Sequence, residues 1–183
     1  MEIYQLLMQD HRVVQGILKQ IEQSTEKGMR KRRDLLLKLK EALLPHSRAE
    51  EMAFYERLKK SKVKEAEDLA FEAYEEHGVA ELLILELENT EPSDRRWTAL
   101  ASVLKENLEH HIHEEEGDLF SKAKKTFRAA EAEAIGEEFL KLKKEVHQEL
   151  TDQEVLGGFA TAEEAPLEST ETMSQEIPEA TLQ

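Results

Sequence analysis

His11, His46, His77 and His111 recur at gaps of 35, 31 and 34 residues. Two of them are followed four residues later by glutamate, as His46-x-x-x-Glu50 and His111-x-x-x-Glu115. The whole constellation is duplicated, with His11 to His77 spanning 66 residues and both His46 to His111 and Glu50 to Glu115 spanning 65. Imidazole nitrogens and carboxylate oxygens are metal donors. On a helix, residues i and i+4 lie only about 40° apart and one turn along the axis. Each His–Glu pair can therefore reach one ion or two adjacent ones. A duplicated helical hairpin carrying such donors at matching heights is what a buried two-metal site requires.

The elements that must position these donors are legible as apolar stripes of helical period. The first helix offers Ile3, Leu7, Val14, Leu18 and Ile21, with His11 in the same stripe. The second offers Leu36, Leu39, Leu43, Ala53 and Phe54, continued by His46 and Glu50. The third has Ala66, Ala70, Ala73, Ala80, Ile84 and Leu87 around His77, and the fourth has Trp97, Leu100, Leu104, Leu108 and Leu119 around His111 and Glu115. Ile135, Phe139, Leu142, Val146 and Leu150 suggest a fifth, shorter helix. Turns fall at Gly28, at Lys59-Lys60-Ser61-Lys62 and at Thr90-Glu91-Pro92-Ser93, where Ser93 is a candidate N-cap. Pro45 removes one hydrogen bond inside the second helix and should bend it just before His46.

Short connections between long helices favour antiparallel neighbours, hence an all-α, up-down-up-down four-helix bundle. Residues equally far from a turn then share a height. Each consecutive histidine pair has its midpoint at or beside one of the three turns, so all four meet in one layer, roughly 25 Å from one end of the bundle at 1.5 Å per residue. His11 and His46 would serve one metal, His77 and His111 the other. The second and fourth helices sit diagonally, so Glu50 and Glu115 would approach from opposite corners as bridges. Mixed imidazole and carboxylate donors with open positions favour two iron ions, then manganese, over structural zinc.

Composition bounds the alternatives. With 183 residues the chain suits one domain with a sizeable core. Charged residues make up 36% and aromatics 5%, and only 7 Gly and 4 Pro occur, which favours long helices with solvated faces over sheet. A net charge of −15 argues against binding nucleic acid or an anionic membrane. The absence of cysteine removes thiolate chemistry, disulfides and iron–sulfur clusters. No apolar run reaches the ~18–20 residues a membrane span needs. The start, MEIYQLLMQDH, lacks a basic segment followed by a long apolar run, so no signal peptide and a cytoplasmic location are expected. From Thr151 onward there are eight acidic residues and no Lys or Arg, so residues 1–150 are expected to form the bundle and 151–183 a disordered acidic tail. Subtracting the tail's −8 leaves −7 on the body.

Other candidates read more blandly. His110, His113 and His147 fall off or beside the stripes and should be solvated. Glu51 and Glu116 repeat as well, but at i+5 they lie about 140° from their histidines, which suits a structural role. Glu81, four residues after His77, could support a ligand or be an extra one. Tyr74 and Phe54 suit core packing better than redox roles.

LLMQDH ending at His11, PHSRAEEMAFY with His46 and Glu50, EEH at His77, and HHIHEEEGDLF with His111 and Glu115 together resemble the hemerythrin-like, or HHE cation-binding, family over roughly residues 3–125. The resemblance implies an antiparallel four-helix bundle around a non-haem di-iron centre, with His11, His46, Glu50, His77, His111 and Glu115 as ligands. Where oxygen-carrying members have a further histidine one turn after the third-helix ligand, this chain has Glu81, and its fourth helix carries His111/Glu115 rather than their His/Asp pairing. The likeness is closer to bacterial HHE proteins associated with oxygen or nitric oxide response, iron handling and repair of damaged iron centres.

Three functions follow as expectations. The first is a di-iron protein that binds or senses a small diatomic ligand (oxygen or nitric oxide) or iron. The second is an enzyme using the same centre, such as a peroxidase or nitric oxide reductase. The third is a metal-free helical interaction module whose acidic tail docks a protein partner.

Overall fold

A computed structural model of the chain describes residues 1–153 and Leu156. The described residues form helices and no strand. α1 (Ile3–Glu22) is followed by α2 (Met29–Glu50), which runs on through a π turn (Glu51–Tyr55) into the short α3 (Glu56–Leu58). α4 (Lys64–Glu88) then returns. α5 (Arg95–Glu114) likewise runs through a π turn (Glu115–Leu119) into α6 (Phe120–Thr126), and α7 (Ala129–Asp152) closes the order. The all-helical bundle read from the stripes is what forms. α1, α2, α4 and α5 pack in a ring in that order, so α2 and α5 are diagonal, and α7 lies along α1 and α2.

The stripes become the core because one apolar face per helix must leave water. Ile3, Leu7, Val14, Leu18 and Ile21 of α1 are buried, as are Leu36, Leu39 and Leu43 of α2 and the alanines of α4. The small side chains of Ala66, Ala70, Ala73 and Ala80 leave room beside His77 for the polar groups that converge there. The core falls into two apolar clusters. One holds Leu7, Ala53, Ala73 and Leu119, the other Val14, Leu43, Ala80 and Leu108. Each stripe histidine lies in the sequence gap between them, so a polar layer divides the bundle.

Several details differ from the sequence reading. The fifth helix is not short: α7 has 24 residues, because Ala132 extends its buried face ahead of Ile135 and Gly136 adds a close approach beside it. Gly136 is needed for that approach, since a Cβ there would sit 2.5 Å from the Met1 carbonyl oxygen. Asp94, not Ser93, caps α5, its carboxylate accepting the Arg96 N–H at 2.8 Å. α2 continues through a buried Pro45, and the departure from α geometry that shapes the site comes after it, at the π turn. Tyr74 is exposed rather than core, whereas Phe54 is fully buried. α7 reaches Asp152 and Leu156 is buried against the second cluster; the rest of the expected tail lies outside the described residues. No helix among the described residues is long and apolar enough to cross a membrane.

At the end far from the π turns, buried Arg32 ties two loops together. Its guanidinium donates to the Pro92 carbonyl, to Ser24 Oγ at 3.0 Å and to Thr98 Oγ1 at 3.1 Å, and lies 4.6 Å from the Trp97 ring centroid. α7 is fastened near mid-bundle by Phe139, whose ring meets His46 edge-to-face at 5.9 Å, and by Lys143 on Asp10. Truncating the fully buried Phe139 to alanine should cost about 3–5 kcal/mol, read from the urea midpoint at unchanged slope.

Candidate metal centre

Successive helices bring all six sequence-predicted residues into the layer, and each is buried, with no more than 3% of its surface exposed. The His77 and His111 Nε2 atoms are 3.2 Å apart. His11 and His46 form the opposite pair, with ring centroids 5.2 Å apart. Glu50 Oε2 lies 3.3 Å from His46 Nε2 and 3.8 Å from His77 Nε2. Glu115 Oε2 lies 3.2 Å from His11 Nε2 and 4.0 Å from His111 Nε2. Each carboxylate thus stands between the two histidine pairs. One donor set, Glu50 with His77 and His111, has its ligand atoms all within 4.8 Å of one another.

Every histidine turns its other ring nitrogen outward to a carboxylate. His46 Nδ1 is 3.1 Å from Asp10, His11 Nδ1 2.9 Å from Glu116, His77 Nδ1 2.9 Å from Glu51 and His111 Nδ1 2.8 Å from Glu76. A carboxylate oxygen accepts, so each Nδ1 is placed to donate its proton and each Nε2 to present its lone pair inward. Each of these acids is a sequence neighbour of a donor on a different helix from the histidine it holds. Sequence reasoning gave Glu51 and Glu116 a structural role but passed over Asp10 and Glu76. The signal was available: Asp10 and Glu76 precede His11 and His77 and are 66 residues apart, the interval of those histidines.

Tyr55 was not foreseen. Its hydroxyl donates to Glu115 Oε1 at 3.0 Å and its ring stacks on His77 with centroids 5.5 Å apart. In an α-helix Tyr55 would point about 140° away from Glu50. A π turn closes i→i+5 bonds, which brings residue i+5 round over residue i. The duplicate position, five residues after Glu115, is Phe120, which has no hydroxyl. The centre is therefore two-fold in its donors and asymmetric in this one hydrogen bond. Glu81 takes no part; it is 42% exposed and lies 3.6 Å from Arg48. His110, His113 and His147 are exposed.

The electrostatics are those of a polar layer cut off from water. Burial and the Glu115 charge push the Glu50 carboxyl well above the usual carboxylate range. Burial pushes Glu115 the same way, but its neighbours His11, Glu50 and His111 hold it below that range. Burial and neighbouring His111 depress His77, so its imidazole is neutral, as a metal ligand must be. Burial raises Glu51 to about 7 against the opposing pull of Lys59 and Arg48.

Whether a cation suits this layer can be asked of its unsatisfied atoms. His11 Nε2, both Glu50 oxygens and Glu115 Oε2 are buried without a hydrogen-bond partner. The Nε2 atoms of His77 and His111 face each other as acceptors. Inward-facing acceptors without donors are costly, on the order of 1–3 kcal/mol each, and a positive ion between them removes that cost. The donors fit a metal ion.

A helical bundle whose core is divided by a layer of four imidazoles and two carboxylates defines a metal-binding helical protein. The chain belongs to the hemerythrin family: the Hemerythrin HHE cation binding domain matches residues 2–123. No curated protein and no solved structure matches the chain significantly.

Two outcomes test this description in the metal-free protein. Tyr55→Phe strips Glu115 Oε1 of its donor and should lower stability by about 1.5–3 kcal/mol in urea titration. The pH dependence follows from the shifted acids. Glu50 and Glu51 hold protons in the folded state that the unfolded chain gives up near pH 4.5. Their contribution is complete below that pH and is lost as pH rises through the folded values. His77, held below the ordinary histidine range near 6.5, opposes this only on the acid side. Stability should therefore fall as pH rises from about 4.5 to about 7, and Glu51→Gln should shrink the fall.

Proposed function

We propose that the layer holds two iron ions and that the protein uses them to bind or sense a small diatomic ligand, oxygen or nitric oxide, or to sense iron itself. The observation that carries this reading is the position of Glu50 and Glu115. Each reaches one imidazole of the His11/His46 pair and one of the His77/His111 pair. Carboxylates so placed could serve both ions. His11 and His46 would hold one ion and His77 and His111 the other, leaving coordination positions open on both. Mixed imidazole and carboxylate donors support iron, with manganese and zinc as competitors. Bound there, iron would supply redox capacity and a vacant position for an exogenous ligand.

The chain's own residues do the rest. Asp10, Glu116, Glu51 and Glu76 fix the imidazole orientations, which keeps Nε2 basic and aimed inward. Apolar walls on both sides keep bulk water from the layer. Tyr55, hydrogen-bonded to Glu115 alone, makes the two bridging carboxylates unequal donors.

Anaerobic reconstitution with ferrous iron, followed by metal analysis, tests the proposal. About two irons per chain are expected, together with a rise in melting temperature, since an ion bound only by the folded state stabilises it. Replacing both His46 and His111 by alanine should abolish the rise. A wild-type chain that retains less than about one iron on desalting would overturn the reading. Addition of azide to the air-oxidised protein should change its visible absorption, reporting an open position.

A further inference from the structure

Two of the four outer carboxylates are ion-paired with cationic side chains, and a third lies near two of them. Asp10 pairs with Lys143, Glu116 with Arg12 at 2.7 Å, and Glu51 lies in the field of Lys59 and Arg48. Glu76 differs. Among the described residues it forms no ion pair with lysine or arginine. Its Oε2 holds His111 Nδ1 at 2.8 Å, while Oε1 lies 3.7 Å from the exposed His110 Nε2. Glu114 Oε1 is 3.4 Å from the same His110 nitrogen. Glu76, His110 and Glu114 thus offer three donor atoms within 4.8 Å of one another at the surface.

Beneath this cluster a narrow crevice runs between α4 and α5. Leu69, Glu72, Glu76 and Glu114 line its outer part, and His111 and Glu115 lie at its floor. Glu115 is 1% exposed and its Oε2 has no hydrogen-bond partner. An unneutralised acidic mouth with an imidazole therefore opens onto a buried carboxylate oxygen that lacks a donor. Glu76 touches both ends, with one oxygen on the surface histidine and the other on the buried one.

We propose that this crevice is the route by which a divalent cation enters the centre, and that Glu76, His110 and Glu114 form the surface site that captures it. The proposal rests on the two-metal reading of the buried layer. At the mouth the acidic side chains concentrate cations, and His110 with Glu114 exchanges part of the ion's water for protein donors. Inward transfer then moves the ion from Glu76 to His111 and Glu115, along a path where every polar group is a donor to metal. Asp10 and Glu116, already ion-paired, lack this attraction, and among the described residues no histidine stands beside Glu51 at the surface.

The experiment is anaerobic stopped-flow mixing of the metal-free full chain with Co²⁺ alone, following its visible d–d absorption to completion. His110→Ala/Glu114→Gln should reach the wild-type stoichiometry and final spectrum at a rate lower by about tenfold or more, within the range electrostatic steering supplies. Glu72→Lys, an exposed change at the mouth, should also slow loading, and added salt should weaken its effect. Glu133→Gln, an exposed acid on α7, should load at the wild-type rate. Equal rates for the wild type and the double variant would overturn the entry route while leaving the centre intact. A slowed variant with an altered final spectrum would also overturn it, by showing damage to the centre itself. A wild-type chain that binds fewer than about two Co²⁺ would instead remove the two-metal reading on which the route rests.

Discussion

Six buried acceptors facing one another in a bundle core constrain everything else in this protein. Four imidazole nitrogens and two carboxylates replace apolar side chains at mid-height and split the hydrophobic core into two clusters. Such a layer is tolerated only if its charge is compensated and its geometry held. Burial and mutual repulsion push the proton affinities of the two acids apart, Glu50 upward and Glu115 downward, which eases their proximity without a metal. The second demand is met by anchoring each imidazole at its outer nitrogen.

Those anchors explain why the acids beside the donors matter as much as the donors. Asp10 and Glu76 serve the neighbouring helix within their own hairpin, while Glu51 and Glu116 reach across to the other hairpin. The pattern ties α1, α2, α4 and α5 together through hydrogen bonds at the layer where apolar packing is interrupted. α7 adds a clamp from outside, with Phe139 on His46 and Lys143 on Asp10. The two π turns belong to the same design. Each begins at or just after a bridging glutamate and swings the residue five positions on, Tyr55 or Phe120, into the core next to the layer.

Duplication makes the centre two-fold, and its departures from symmetry carry the functional content. Tyr55 donates to Glu115, and Phe120 offers Glu50 no counterpart. Glu76 alone among the anchors lies beside a surface histidine. The first gives the two buried carboxylates unequal hydrogen bonding, and the second places an imidazole beside one anchor at the surface.

The apolar period and the histidine spacing determined the helices, their antiparallel order and the common height of the six donors. These depend on two regularities, the α-helical period and equal distance from a turn, that residues along one chain express directly. The same logic misjudged α7, whose opening turns are buried through small residues, and it put the α5 cap one residue early. It could not reach Tyr55, because the α period assigns that side chain to another face and only the π turn brings it in. Nor could it pair Asp10 with His46 or Glu76 with His111. Those contacts depend on which side of each helix meets which neighbour, and only packing in three dimensions decides that.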